Sequence, residues 1–224
     1  MRERRRKHRS LVAALTLALI LGGAAFYMTY MPNKSWSDEL PPLTVEQAEI
    51  ADRLRRHIQV LAADIGERNV WREDTLETAA EYIESALQAA GYAVSSQVFS
   101  AQAVGVRNLE AILDGHSPAE HIVLIGAHYD TVSGSPGAND NGSGVAALLE
   151  IARLLAGKPL ARSVRFVAFV NEEPPFFYTR DMGSYHYADR ARERGEKISA
   201  YGANIRTSRM ILLLGDITDN LFMQ

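Results

Sequence analysis

Residues 122–155 read IVLIGAHYDTVSGSPGANDNGSGVAALLEIARLL, and residues 164–173 read VRFVAFVNEE. Ile122 to Ala127 is a short unbroken apolar run, the pattern of a strand buried on both faces. A loop rich in Gly, Ser and Asn follows, and Gly144 to Leu155 has helical character. Val164 to Val170 repeats the buried-strand pattern. Working upstream, Val104 to Leu113 and Tyr92 to Phe99 look like a strand pair. Before them, Leu76, Ala80, Ile83 and Leu87 form the stripe of a helix over about Asp74 to Ala90, stopped by Gly91. An earlier helical run from Ala48 to Ile65 starts at the capping box Thr44–Gln47 and ends at Gly66. Downstream, Gly183 to Arg194 is predicted helical, and Met210 to Leu214 is a last apolar strand. Helices, a strand pair, then alternating strand and helix give an α/β domain with a mixed, mainly parallel sheet flanked by helices.

Ligands in open α/β sheets bind beyond the carboxyl ends of the strands. After the first buried strand comes His128-Tyr129-Asp130, then Asn139-Asp140-Asn141-Gly142 where the next helix begins. After the second comes Asn171-Glu172-Glu173. One imidazole and several carboxylates thus gather at one rim, with no lysine or arginine in these motifs. Crowded carboxylates repel and need a cation. A divalent metal supplies that charge, and His with Asp or Glu is a common zinc set. Metal-bound water has its pKa lowered to about 7, and a nearby Glu can take its proton. Adjacent Glu172 and Glu173 point different ways, so one can ligate while the other handles a proton. Asp130, two residues after His128, can accept the proton of the ring nitrogen turned away from a metal. Pro174-Pro175-Phe176-Phe177-Tyr178, beside these groups, reads equally as a pocket wall or as packing under a loop.

Composition narrows the classes further. Of 224 residues, 47% are hydrophobic and 23% charged, as in a folded protein. The formal net charge is -3, yet the first nine residues carry six bases and one acid. The rest therefore holds 18 bases against 26 acids, a poor match for nucleic-acid phosphates. With no cysteine there is no disulfide scaffold, thiolate zinc site or cysteine nucleophile.

The amino terminus reads as a membrane element. No charged residue occurs from Ser10 to Asn33, and a bilayer core needs about 20 apolar residues in a helix. Tyr27, Tyr30 and Trp36 sit near its far end. The basic cluster before it places Met1 in the cytoplasm and the domain outside. The organisation expected is a cytoplasmic tail over residues 1–10, an uncleaved anchor over 11–31, a proline-rich linker over 32–43 and the α/β domain over 44–224. A cleaved signal peptide is the rival, but its apolar region runs only about 7–15 residues.

The stretch GAHYDTVSGSPGANDNGSGVAALLEIARLL followed by FVNEEPPFFYTRDMGS resembles the dizinc exopeptidases of the aminopeptidase Y and bacterial leucyl aminopeptidase type, metallopeptidase family twenty-eight. The likeness runs from about Ile50 to Ala200. It implies a zinc-exopeptidase fold and a pair of Zn2+ ions. His128 would bind one ion, Asp140 would bridge both and Glu173 would bind the second. Glu172 would be the general base and Asp130 the acid behind the histidine. The substrate implied is a peptide or small protein with a free amino terminus; relatives include glutaminyl cyclases and non-catalytic receptor domains. Two further ligands are expected late in such chains, an acid and a histidine. Here Leu214 falls on the acid position, Asp216 reaches it only if the register slips, and no histidine follows His186. Clear likeness ends after Ala200, so the expectation is a domain incomplete at its carboxyl end. Function is read as a membrane-anchored zinc aminopeptidase, with a non-catalytic binding domain of the same fold as the alternative.

Overall fold

The computed structural model describes residues 2–30, 41–116 and 122–203. The chain divides into two units, Met1–Pro42 and Leu43–Gln224. The first is helix α1 (Arg2–Thr29). Its stretch Arg4–Thr29 is long and apolar enough to cross a membrane by length and composition. The expected linker falls largely on residues 31–40, outside the described residues.

The second unit opens with α2 (Val45–Ile58). The capping box forms as predicted: the Gln47 N–H donates to Thr44 Oγ1 at 3.2 Å, and the Thr44 N–H donates to Gln47 Oε1 at 3.0 Å. The single helix expected to reach Ile65 instead loosens into π-helical turns over Gln59–Ile65 before Gly66. Helix α3 (Glu73–Ala89) follows, then the hairpin β1 (Val94–Ala101) and β2 (Val104–Leu113). Next come β3 (Ile122–His128), α4 (Ser143–Leu155), β4 (Val164–Phe169), α5 (Gly183–Glu193) and β5 (Ile198–Ala203). Strand β5 has no counterpart in the sequence reading. The strand expected over Met210 to Leu214 lies outside the described residues.

The five strands run in the order β1-β2-β4-β3-β5. The sheet is mixed, as expected. Parallel pairing holds for β4-β3 and β3-β5, while β1-β2 and β2-β4 are antiparallel. A crossover helix forces parallel strands, whereas the short β1–β2 turn forces antiparallel ones. Each sheet face is covered. On one, α2, α3 and α4 pack with Leu109, Ile125, Phe166 and Ala168 in the main core. On the other, Tyr187 and Ala191 of α5 meet Leu124, Val167 and Phe169.

Helix α4 is buried from Ser143 through Ala152. A helix apolar on all sides is stable only when enclosed, and α4 is enclosed by α2, α3 and β3. Its buried Glu150 is matched by His57 and by Arg153 of the same helix. His57 is thereby a partner of a buried acid.

Candidate metal centre

Parallel register places the site. Across β3 and β4, His128 stands opposite Phe169, so both strands end at the same rim. The Tyr129 N–H donates to the Phe169 carbonyl at 2.9 Å and extends the pairing by one step. Just beyond, Asn171 has φ +60, a left-handed conformation for which asparagine is better suited than most residues. The chain turns there and presents Glu172 and Glu173 toward His128. Asp140 arrives from the loop between β3 and α4.

Three predicted donors converge. Ligating atoms of His128, Asp140 and Glu173 all lie within 4.8 Å of one another. His128 Nε2 is 3.1 Å from Asp140 Oδ1. On the other side of the ring, Nδ1 is 3.3 Å from the Asp130 carbonyl and 3.5 Å from its Oδ1. Both ring nitrogens therefore face acceptors. In the metal-free chain, burial opposes charging His128, but Asp130, Asp140 and Glu173 more than offset this and raise its pKa to about 9. The donor set fits a divalent cation: one imidazole and two carboxylates leave a fourth position open, as catalytic zinc sites do. Among the described residues this is the group of donors that assembles; Leu214 and Asp216 lie outside them.

Asp130 does more than the sequence suggested. It is buried, and its two oxygens accept the N–H groups of Glu172 and Glu173 at 3.2 and 3.1 Å. One carboxylate thus ties the end of β4 to the end of β3. Glu172 is held by Ser184, whose N–H and hydroxyl donate to its two oxygens at 2.7 and 2.9 Å. Burial raises the pKa of Glu172, against the two Ser184 bonds, and burial likewise raises that of Glu173.

Several residues of this region gave no sequence signal. Asn108, on β2, is buried and holds the far side of the turn. It accepts the Val170 N–H at 3.1 Å and donates to the Gly183 carbonyl at 2.8 Å. A Cβ at Gly183 would come within 2.2 Å of Asn108 Oδ1 and 2.5 Å of the Val170 carbonyl, so only glycine lets α5 start this close to β4. Arg68 is the second. It lies in the segment after the π-helical turns, and its guanidinium donates to main-chain carbonyls of the metal loop at Tyr129, Pro136 and Gly137. Nothing in residue spacing connects Arg68 to a loop some sixty residues later. The Pro174–Tyr178 segment packs through one of its aromatic residues. Phe176 is buried and stacks on Trp71 with centroids 6.1 Å apart, while Phe177 and Tyr178 are exposed.

With this arrangement in view, residues 108–204 match the profile of peptidase family M28. The chain belongs to that family across this segment. The M28 segment contains every donor described above. Among curated relatives, YfbL of Escherichia coli (strain K12) is 35% identical over 162 residues, 68% of this chain and 49% of YfbL. Aminopeptidase YwaD of Bacillus subtilis (strain 168) is 45% identical over 84 residues, 38% of this chain and 17% of the relative. This chain therefore spans about half or less of the length of the relatives it matches. A solved zinc aminopeptidase from Bacillus subtilis superposes with a TM-score of 0.56 at 18% identity, covering 68% of this chain and 66% of that one. At that identity the likeness shows the fold, a zinc-aminopeptidase-like α/β architecture.

Proposed function

We propose that this M28 chain is a zinc-dependent hydrolase of aminopeptidase type, anchored in a membrane by α1 with its domain on the extracytoplasmic side. The observation that carries the reading is the convergence of His128, Asp140 and Glu173 within 4.8 Å, with Glu172 next to Glu173 along the chain. His128, Asp140 and Glu173 would hold the ion. When bound, zinc supplies a Lewis acid that polarises a carbonyl and acidifies water. Asp130 orients His128 by accepting at Nδ1, which keeps Nε2 free for the ion. Glu172 takes a proton from water and delivers it to the leaving amine. Its burial favours the neutral form, and this suits a group that must hold the proton between those steps. The substrate class proposed is a peptide with a free amino terminus, as the names of several matched relatives indicate for those proteins.

The anchoring proposal rests on α1, on the basic residues at its start, and on the uncharged run that follows. The carboxyl-terminal position of the domain relative to the anchor, with bases before it, supports the outward orientation. A second reading is favoured by one observation. The described residues bring together donors for one ion, whereas the family pattern uses two. A non-catalytic binding domain that keeps the fold is consistent with this. Zinc content and hydrolysis of amino-acyl anilides, measured on the same preparation, separate the two. Stoichiometric zinc with turnover abolished by Glu172→Gln supports the hydrolase; zinc-independent turnover that survives Glu172→Gln sinks it. A folded domain with neither metal nor turnover supports the binding reading.

A further inference from the structure

Arg68 is fully buried, and its guanidinium is surrounded by main-chain carbonyls. Nε donates to the Tyr129 carbonyl at 2.6 Å. Nη1 donates to Leu61, Gly66 and Pro136 at 3.0, 2.9 and 2.8 Å, and Nη2 to Gly137 at 3.2 Å. Its own main chain is clasped to the same loop: the Arg68 N–H donates to Thr131 Oγ1 at 3.1 Å, and the Thr131 N–H donates to the Arg68 carbonyl at 2.8 Å. These contacts have a common geometry. Tyr129 directly follows His128, while Pro136 and Gly137 closely precede Asp140. A single planar cation therefore grips the loop just after one donor and just before the next.

The loop is fitted to that cation. Gly137 has φ +60, and a Cβ there would meet Thr131 Cγ2 at 2.3 Å, the Asp140 carbonyl at 2.8 Å and Arg68 Nη2 at 3.3 Å. Gly142 lies as close, with Arg68 Nη2 at 3.4 Å from its would-be Cβ. A neutral or shorter side chain at 68 would leave buried carbonyls without donors. Lysine would keep the charge and lose the fork that serves several acceptors at once.

We propose that Arg68 is a positioning residue for the metal loop, setting the distance between His128 and Asp140 before an ion arrives. The inference rests on the metal-centre reading above. It predicts that the loop's donors are preassembled through Arg68 rather than gathered by the ion.

The test uses the full chain and zinc alone as the probe. Zinc affinity is measured by calorimetry for the wild type, Arg68→Lys, Arg68→Gln and a control, Arg165→Gln. Arg165 is a part-buried arginine paired with Glu196 away from the metal donors. Thermal midpoints of the metal-free proteins are recorded alongside. Both Arg68 variants should weaken zinc binding by about 10–100-fold, the range seen when groups behind metal ligands are removed. Arg165→Gln should lower the thermal midpoint yet keep the wild-type zinc affinity. Folded Arg68→Gln that binds zinc within threefold of wild type overturns the proposal, since Arg68 then only stabilises the fold. Wild-type affinity in Arg68→Lys overturns it too, because charge rather than the fork would be acting. Failure of both Arg68 variants to fold makes the residue a determinant of the fold itself and also overturns the assignment. A wild-type chain that binds no zinc is a separate result: it removes the metal-centre reading, and this inference with it.

Discussion

Two sets of carboxylates in this molecule are treated in opposite ways. At the rim, Asp130, Asp140, Glu172 and Glu173 stand with His128, and among the described residues no lysine or arginine is ion-paired to them. Behind the sheet, Glu110 accepts from Arg165, Arg190 and the Tyr187 hydroxyl, and inside the helical layer Glu150 is met by His57 and Arg153. The proton affinities follow. Burial raises Glu172 and Glu173 above the ordinary carboxylate value. For Glu150 burial also pushes upward, but bonds from His57 and Arg153 more than reverse it, and its pKa is lowered. Where the protein supplies its own cation the site is finished. Where it leaves carboxylates facing a common point without one, the geometry suits a cation from solution.

The largest expected effect breaks the rim without emptying it. Glu172→Gln should cut amino-acyl anilide turnover by about 10²–10⁴-fold, the usual range for a general acid–base group, while zinc content stays at the wild-type value. Loss of zinc in that variant would make Glu172 a ligand rather than a base. The converse experiment breaks the finished site. Glu110→Gln leaves Arg165 and Arg190 short of charge and should cost about 3–5 kcal/mol of stability, as removal of one partner from a buried pair does. Denaturant melts should show that loss with zinc affinity unchanged; a parallel fall in zinc affinity would mean the two regions are coupled.

Chelation sharpens the same contrast. If zinc is present at a hundred times its Kd, removing it should withdraw about 2.7 kcal/mol, visible as a lower thermal midpoint in the wild type and absent in Asp140→Asn. The acid limb of stability gives a smaller effect. Glu150 has a folded pKa below its ordinary value of 4.5. Its contribution is complete above that value and is lost as pH falls through the folded pKa. Midpoints recorded between pH 6 and pH 3 should therefore drop more steeply in the wild type than in Glu150→Gln; parallel curves would mean the Glu150 cluster is not held as described. Smallest of all, removal of residues 1–42 should leave the thermal midpoint of the remainder unchanged, since the two units are compact separately. The same deletion should release the protein from the membrane fraction without detergent.

The strands and helices that carry the site were legible because their periodicity is local. Val104 to Leu113 was bounded as observed, and α3, α4 and α5 each fall within one residue of their expected ends. The strand-end rule pointed to the rim that holds His128, Asp130, Asp140, Glu172 and Glu173, and the family resemblance singled out His128, Asp140 and Glu173, whose ligating atoms lie within 4.8 Å of one another. Strand β5 was not legible: residues 198–203 mix Gly, Ala and Ser with few strand-favouring side chains, and parallel pairing with β3 supplies what propensity does not.

The sequence by itself determined most of the element types, the apolar amino-terminal helix and the chemistry available at the strand ends, because burial patterns and donor groups are written in consecutive residues. Tertiary structure alone decided that Asp130 joins two strands through main-chain N–H groups, that Asn108 fixes the start of α5, and that Arg68 serves carbonyls as far away as Gly137. Those bonds use backbone atoms that every residue possesses. No pattern of side chains announces them, and only the packed chain selects which carbonyl meets which donor.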